Sequence, residues 1–525
     1  MKRIFVIIMT ILMMMSLFCV SSSALTVSSN DVIRVYGLKK DGTPTLLNGY
    51  TKFDEGWEAA VDYAEDHDYM DENGYERISV DFLADWNANE NGEFGKSWEF
   101  GSDWGDGFQY STIFVPSDTK ITINLNGHTI NRGLRKYEYD GEVICINDDA
   151  DLIINGGKSG DPIIELDKDP GDVKMGTITG GWSCNGAGGI HMQDGSKLTL
   201  NNVNIVGNTV EDDDGGGIAV YDGAELIMNG GSIANNTIKS SNVTWVFGAG
   251  IYIKDSTASV YNVTFQHNHS GGRADYKRDH SETYSTYGVA IYSDESKVTI
   301  DSCKFYDNAH HRGNFLDANS VICATADSEM TIKNTIFKGN GAVQHFTNGH
   351  VDVFLGAKLF NTGDCDLTIE DCQFIGNNTT VLLEMGSSSS LSVSNTHFTD
   401  NNSSVYSEFY ASSLARSFVN CTFDQNISSV KYPYSFEFSD GGTHPTFVDC
   451  DFGDSSFNDR SRATIIDTDA KNGAGSIFGA GSLVMIIAVL ALVSSAVSIS
   501  LTITFNKKKA VFVTANEEKT KTKNN

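Results

Sequence analysis

The residues best suited to chemistry in this sequence are basic and imidazole side chains concentrated in three neighbouring stretches. The stretches follow Asn268, Asn308 and Asn340. The basic and histidine residues proposed to bind a ligand are Arg273, Lys277, Arg278, His280, His310, His311 and Arg312. Together they would attract anionic ligands such as carboxylated or sulfated glycans. Ordinary solvated loops are the plainer interpretation of the same stretches.

Two tyrosines add a second kind of candidate. Tyr252 and Tyr292 occupy the same position in two similar segments, AGIYI and VAIYS. Aromatic rings can stack on sugar rings, and tyrosine is also a common residue on a strand surface. We therefore include both tyrosines among the candidate ligand-binding residues.

The elements that would position these groups come from an internal repeat. Eight segments share an apolar residue, an Ile or Phe five positions later, and an Asn three positions after that, as in VTIDSCKFYDN and LTIEDCQFIGN. The Asn residues are Asn208, Asn236, Asn268, Asn308, Asn340, Asn377, Asn401 and Asn426. A fixed template with loops of variable length between copies is typical of a solenoid, in which each coil buries its apolar face on the next.

Within each copy the apolar residues alternate with period two, which indicates strands. The residues expected to stack inside are Ile205, Ile233, Phe265, Phe305, Phe337, Phe374, Phe398, Phe423 and Phe452. The Asn residues are expected to form a second stack at a corner, with amide hydrogen bonds between coils and a left-handed backbone at the Asn itself. The fold class is therefore all-β: a right-handed parallel β-helix, with an N-terminal helical cap and a C-terminal transmembrane helix.

A second strand precedes each copy, as in GGIHM, GGIAV, AGIYI and VAIYS. Its outward positions are predicted to hold His191, Ala219, Tyr252 and Tyr292. No carboxylate pair recurs there, so no catalytic residue is predicted. The run Asp212 to Asp214 could hold Ca²⁺, but such runs are more often only solvated. No cofactor is predicted, and whether a metal ion binds is left undecided.

The alternating GGI and FxxN segments, such as FQHN, FYDN, FKGN and FIGN, resemble the repeats of the polymorphic outer-membrane-protein family. The wider superfamily that they resemble is that of pectate-lyase-like β-helices. The resemblance covers about residues 188–452 and implies a β-helix used as a surface adhesin, or else an enzyme that acts on polysaccharides. The family's membrane domain differs from the single helix predicted here, so its secretion mechanism is not implied.

The two ends of the sequence predict an extracellular protein held in a membrane. Lys2 and Arg3 precede an apolar run, which is the layout of a secretory signal, and the uncharged run 477–505 precedes Lys507 to Lys509. The predicted parts are a signal peptide at 1–24, a cap region at 25–110, the β-helix at 111–456, a linker at 457–476, the transmembrane helix at 477–505 and a cytoplasmic basic tail at 506–525.

The net charge limits the classes of binding partner that this protein is expected to have. The chain carries −30, and removing the +2 of the signal and the +4 of the tail leaves −36 for residues 25–505. Such a surface repels phosphate backbones, which argues against nucleic acid. The predicted partners are the membrane and extracellular glycans or host-surface components.

Four cysteines fall in one slot of the repeat, two residues before the interior Phe: Cys303, Cys372, Cys421 and Cys450. The slot predicts a column of small buried thiols, with disulfide staples as the alternative.

The function that these observations favour is a membrane-anchored surface adhesin or glycan-binding scaffold at the cell surface. The alternative is a polysaccharide lyase or glycoside hydrolase of the pectate-lyase-like superfamily, and the sequence leans away from an enzyme without excluding one.

Overall fold

The computed structural model describes most of the region between residues 28 and 468. The described ranges are 28–87, 113–157, 175–240, 245–271, 285–308, 311–312, 317–318, 320–347, 350–355, 358–408, 413–426 and 434–468. The signal, the transmembrane run 477–505 and the tail predicted above lie outside them. In the part of the chain that is described, no helix is long and apolar enough to cross a membrane.

Parallel strands stacked coil on coil make up this region. Most coils pass through one strand of an 11-stranded sheet (sheet 2), turn, and then run through two successive segments of a 24-stranded sheet (sheet 1). In register, Phe265 pairs with Phe305, and Phe305 with Phe337. Such in-register stacking is that of a parallel β-helix, as the repeat predicts.

Sheet 1 contains 24 described strands, and most coils contribute two strands to it. The N-terminal strands are Ile33–Lys39, Pro44–Tyr50 and Tyr75–Phe82. The first segments are Lys120–Asn124, Asp151–Asn155, Lys197–Val206, Glu225–Ala234, Thr257–Tyr261, Lys297–Asp301, Ser328–Lys333, Cys365–Glu370, Ser390–Ser394, Arg416–Val419, Thr446–Val448 and Thr464–Ile466. The second segments are Trp86–Asn87, Thr129–Asn131, Thr177–Thr179, Thr264–Gln266, Lys304–Tyr306, Ile336–Lys338, Gln373–Ile375, His397–Thr399 and Thr422–Asp424.

Four further sheets complete the described strands. Sheet 2 comprises Ile113–Val115, Ile144–Ile146, Ile190–Met192, Ile218–Val220, Ile251–Lys254, Ile291–Asp294, Ser320–Thr325, Lys358–Thr362, Val381–Met385, Ser404–Glu408 and Phe436–Glu437. Sheet 3 comprises Trp182–Ser183, Thr209–Glu211, Thr237–Lys239 and His269–Gly271. Sheet 4 comprises Trp245–Phe247, Ser285–Tyr287 and Asp317–Ala318, and sheet 5 comprises His311–Arg312, Ala342–Thr347 and His350–Leu355.

The core is a column of rings inside the coils. Consecutive phenylalanines from Phe265 to Phe423 stack with ring centroids 4.5–5.1 Å apart, and Phe452 follows at 5.7 Å. The rings from Phe265 to Phe423 are at most 1% exposed. Their spacing is close to the distance between strands, so each ring packs against the same residue of the next coil.

The corner asparagines form a continuous hydrogen-bonded ladder. From Asn208 to Asn401, each side-chain amide donates to the amide oxygen of the next Asn at 2.8–3.2 Å. The same amide donates to a main-chain carbonyl of the preceding coil, for example from Asn377 to Phe337 at 3.0 Å. Seven of the eight asparagines are fully buried, so these bonds replace water completely.

The left-handed backbone lies one residue earlier than the sequence analysis placed it. The positive φ belongs to the residue just before each ladder Asn: Gly207, Asn235, His267, Asp307, Gly339, Gly376, Asp400 and Gln425. The ladder Asn residues themselves have no positive φ. The preceding residue makes the bend, and the Asn is selected by its hydrogen bonds alone.

The N-terminal end is closed by two helices, α1 (Phe53–Glu65) and α2 (His67–Asn73). The buried face of α1 includes Trp57, whose indole N–H donates to the carbonyl of Phe114 at 3.2 Å. Phe53 stacks on Trp86 at 5.2 Å. The amphipathic helix agrees with the predicted cap, while the antiparallel strands at 33–39 and 44–50 were not anticipated.

The C-terminal end of the solenoid extends further than predicted. Phe457 stacks on Phe436 at 4.8 Å, and Thr464–Ile466 pairs with the strand before it. The polar composition of residues 457–476 predicts a linker. Phe457 and the strand Thr464–Ile466 cover the last coil instead, since its apolar cross-section would otherwise face water.

We expect Asn377→Ala to lower the free energy of unfolding by about 1–3 kcal/mol, because it leaves buried partners on both neighbouring coils unpaired. The measurement is chemical denaturation of the full chain. Asn378→Ala is the matched control, since the neighbouring side chain is only half-buried. Equal effects at the two positions would contradict a stabilising ladder.

Candidate functional site

The outward side chains of sheet 2 form one column along the solenoid. Strand pairing aligns Phe114, Cys145, His191, Ala219, Tyr252, Tyr292, Cys323, Asn361, Glu384, Ser407 and Glu437. The side chains on either side of them point into the core. The column therefore presents a different chemistry at each level of one rigid surface.

The tyrosines of this column are not exposed. Tyr252 is 7% exposed and Tyr292 is 8% exposed, and their rings stack on each other at 5.5 Å. Phe247 of sheet 4 lies 4.4 Å from the ring of Tyr292. The expectation that these tyrosines offer a free stacking surface is wrong, because the excursions before sheet 2 fold back over them.

The cover is held in place by Asp214, whose carboxylate accepts a hydrogen bond from the main-chain N–H of Phe247 at 2.8 Å. The adjacent Asp213 accepts one from the N–H of Gly186 at the same distance. The run Asp212 to Asp214, expected to be solvated, instead ties neighbouring excursions together.

A second pair of carboxyl groups lies one loop away, at Asp140 and Glu142. Asp140 accepts a hydrogen bond from the side-chain amide of Asn185 at 3.0 Å, and the Ser183 hydroxyl lies 3.5 Å from Glu142. The segment 183–186 thus contacts both pairs. We call Asp140, Glu142, Asp213 and Asp214 the acid cluster.

Burial perturbs every member of the acid cluster. It raises the pKa of Glu142 to about 8, and the nearby Asp140 carboxyl acts in the same direction. Burial also raises the pKa of Asp214 to about 8, and it raises the pKa values of Asp140 and Asp213. Two of the four groups are therefore mostly protonated at neutral pH.

His191 connects the acid cluster to the aromatic part of the column. A side-chain carbon at Gly186 would lie 2.3 Å from its Nδ1 atom, so the glycine makes room for the imidazole. The ring packs against that of Tyr221, with centroids 5.4 Å apart, and the ring of Tyr221 packs in turn against that of Tyr252, with centroids 5.3 Å apart. Burial lowers the pKa of His191 to about 4, so the imidazole is neutral at physiological pH.

Protonated carboxyl groups and a neutral imidazole can donate and accept protons, which is the equipment of general acid and base catalysis. The strand positions of sheet 2 give no sign of this cluster, because the carboxyl groups lie in the turns before the strands. The signal was available: acidic residues precede the GGI segment at Asp213 and Asp214.

Further along the column the surface opens into a cleft of about 440 Å³. Lys358 and Glu384 pair across it, and Asn361 and Thr325 also line it. The Glu384 side chain is 4% exposed and that of Lys358 is 17% exposed, so this ion pair is largely withdrawn from water. This cleft offers paired charges and an amide to a polar ligand.

The predicted basic loops are described only in part. Arg273, Lys277, Arg278, His280 and His310 lie outside the described residues. His311 and Arg312 form a short strand whose main chain pairs with Val343 and Gln344. The excursions after Asn308 and Asn340 are thus joined by strand pairing, and ligand binding there stays a prediction.

Among the described residues, no group of three or more His, Cys, Asp or Glu side chains has a geometry that could hold a metal ion. The acid cluster is divided between two loops; Asp140, Asp213 and Asp214 accept from amide or main-chain N–H donors, and Glu142 faces the Ser183 hydroxyl.

Comparison with known proteins gives one match. A family model described as a right handed beta helix region matches residues 177–452, slightly more than half of the chain. Neither the curated proteins nor the solved structures gave a match.

The raised pKa of Glu142 predicts a pH-dependent stability. The folded protein holds the carboxyl proton up to about pH 8, whereas the unfolded chain releases it near its ordinary value of about 4.5. Stability from this group is therefore present at low pH and lost as the pH rises between those values. We expect Glu142→Gln, which cannot ionise, to match the wild type near pH 4.5 and to exceed it by roughly 4 kcal/mol at pH 8.

Denaturation of both proteins across this pH range measures the difference. Glu76→Gln, at an exposed position, should leave the wild-type dependence unchanged. A Glu142→Gln curve parallel to that of the wild type would show that this carboxyl ionises normally.

Proposed function

This chain belongs to the right-handed β-helix family, and we propose that it is a membrane-anchored extracellular scaffold that binds anionic glycans through the excursions of its central coils. The signal-like N-terminus and the apolar run 477–505 support the location. The acidic composition supports a solvated surface with few anionic partners outside a basic patch.

The observation that carries the proposal is that consecutive excursions are paired with one another. In sheet 4, Trp245–Phe247 pairs with Ser285–Tyr287, which pairs with Asp317–Ala318. In sheet 5, the excursion after Asn308 pairs with that after Asn340. Loops that are tied together on a rigid scaffold favour a single composite binding surface over independent solvated loops.

The cationic side chains of the excursion between Gly271 and Ser285 give the expected ligand. It contains Arg273, Lys277, Arg278 and His280 together with Asp275, Asp279 and Glu282, so its formal net charge is zero with His neutral, on a chain whose remaining region is strongly negative. The ligand is therefore inferred from the cluster of cationic donors and not from a net positive charge. Carboxylate and sulfate groups match guanidinium and ammonium donors, and the surrounding acidic surface would exclude anions that lack enough charge to compete.

We expect the full chain to bind sulfated or carboxylated glycans on an array and to bind their neutral counterparts at least tenfold more weakly. Replacing Arg273, Lys277, Arg278 and His280 by Gln should abolish this binding and leave thermal unfolding unchanged. The affinity of the wild type should also fall with added salt, as charge pairing in water does.

A matched control replaces four lysines of the scaffold by Gln: Lys120, Lys197, Lys297 and Lys338. This variant loses four positive charges from the solenoid, one more than the basic-loop variant loses with His neutral, and should retain binding. Equal loss in the two variants would mean that net charge alone, and not the excursion, governs the interaction. Binding that neither variant alters would remove the proposal.

The acid cluster favours a second candidate function, that of a polysaccharide lyase or glycoside hydrolase. Glycoside hydrolysis needs a carboxylic acid that stays protonated at neutral pH beside a second, ionised carboxyl group. Glu142 and Asp214, whose pKa values are raised to about 8, suit the first role, and Asp140 or Asp213 would take the second. The excursions of sheet 4 cover part of the approach, so this function ranks below binding.

An assay for new reducing ends and for unsaturated sugar products separates the two functions. If the chain is an enzyme, Asp214→Asn and Glu142→Gln should each lower the rate by at least 100-fold, because a proton donor or acceptor is lost. The four-residue Gln variant of the basic loop would reduce only binding. Absence of product with acidic, sulfated and neutral polysaccharides would rule against the enzyme and leave the scaffold as the one remaining candidate function.

A further inference from the structure

The cysteine slot of the repeat is not uniform along the solenoid. Two residues before each interior Ile or Phe, successive coils carry Val203, Gly231, Val263, Cys303, Thr335, Cys372, Thr396, Cys421 and Cys450. Thiols and threonines alternate through the central coils. Only at the C-terminal end of this slot do two cysteines occupy consecutive coils.

Threonine separates the central thiols. The main-chain N–H of Cys303 donates to the Thr335 hydroxyl at 3.2 Å, and that of Cys372 donates to the Thr396 hydroxyl at 3.3 Å. Cys303 and Cys372 are therefore two coils apart, at about 9–10 Å for the usual strand spacing. That separation is beyond the range that a disulfide can bridge.

Cys421 and Cys450 are direct neighbours. The N–H of Asp451 donates to the carbonyl of Cys421 at 2.9 Å, and Thr422 pairs with Asp451 in parallel. Each thiol donates to main-chain carbonyls, Cys421 to Val419 at 3.4 Å and Cys450 to Phe418 at 3.4 Å. Adjacent parallel strands place α-carbons about 4.8 Å apart, within the 4.4–6.8 Å found across disulfides.

The position of the pair at the end of the solenoid favours closure. Cys421 is fully buried, whereas Cys450 is partly exposed. The strand Thr446–Val448 contains Phe447. Beyond it, toward the C-terminal end of the solenoid, the one further described strand is Thr464–Ile466, which pairs with it. A terminal coil can shift to bring two sulfur atoms together more easily than a coil packed on both sides.

We propose that Cys421 and Cys450 form a reversible disulfide that locks the last coils of the β-helix together. The bond would close a loop of about 30 residues and would restrict the unfolded chain as well as the terminal coil. It would act at the end of the solenoid from which the chain continues toward the apolar run 477–505.

The oxidant is a small-molecule or protein disulfide. The Cys450 thiolate attacks one sulfur of that disulfide, forms a mixed disulfide and releases the first thiolate. Cys421 then loses its proton and attacks the Cys450 sulfur, which expels the second thiolate. Two protein thiols are oxidised and one external disulfide is reduced to two thiols, so atoms and electrons balance.

The roles of the two cysteines follow from their surroundings. The neighbouring Cys421 thiol lowers the pKa of Cys450, and the partly exposed Cys450 can reach an external disulfide. The interaction with Cys450, together with burial, raises the pKa of Cys421, which suits the second, internal step.

In the direct test, the full chain in detergent is treated with glutathione disulfide. The protein is then denatured, its remaining thiols are blocked, and it is digested with trypsin without reduction. Cleavage after Arg416, Lys431 and Arg460 gives peptides 417–431 and 432–460, each with one cysteine. We expect mass spectrometry to find these peptides joined, two hydrogen atoms lighter than their sum, and separated by dithiothreitol. Cys303 and Cys372 should be recovered as blocked thiols.

A stability measurement distinguishes a locking bond from an incidental one. Oxidation should raise the thermal midpoint of the wild type by about 2–5 °C relative to the reduced protein. Cys450→Ser and Cys450→Ala should abolish this difference, while Cys303→Ser should preserve it. Recovery of Cys421 and Cys450 as blocked thiols after oxidation, or linkage of either to another cysteine, would overturn the proposal.

Discussion

The rest of this structure depends on one constraint: the buried side-chain amides of the corner Asn residues must form hydrogen bonds with the neighbouring coils. A coil cannot hydrogen-bond its own corner, because the corner Asn donates to the coils on both sides of it. Asn308, for instance, donates to Asn340 at 3.1 Å and to the carbonyl of Phe265 at 2.9 Å. A shift of one residue in any coil would leave these groups unpaired without water, so the ladder fixes the register.

The fixed register aligns everything else. Phenylalanine rings stack at the strand spacing, the thiol and threonine slot becomes a continuous column, and the outward residues of sheet 2 fall into one line. The bends are made by the residues before each Asn, which take a positive φ, and the chain is then free to leave on excursions of any length. Rigid corners with variable excursions are how a solenoid separates stability from function.

The outward column of sheet 2 illustrates the cost of this arrangement. Excursions folded back over the column cover Tyr252 and Tyr292, and within the acid cluster Asp140 and Glu142 are buried while Asp213 and Asp214 are half-buried. The buried carboxyl groups respond by retaining protons, as the raised pKa values of Glu142 and Asp214 indicate. Proteins usually keep such groups only where another element uses them, and here Asp214 fastens the cover while Asp140 and Asp213 hold the segment 183–186.

The sequence by itself determined the repeat, the parallel β-helix and the stacked Phe and Asn columns, because each is set by a short pattern that recurs in every coil. It also located the cap helix from the periodicity around Trp57. It misplaced the left-handed residue and the end of the solenoid, and it treated Tyr252 and Tyr292 as exposed. Those features depend on contacts between coils and excursions that are distant in the chain: the cover over the tyrosines, the meeting of Asp140 with Asn185, and the pairing of Phe457 with Phe436. A local pattern records which side of a strand a residue faces, but only the tertiary structure decides what lies against that side.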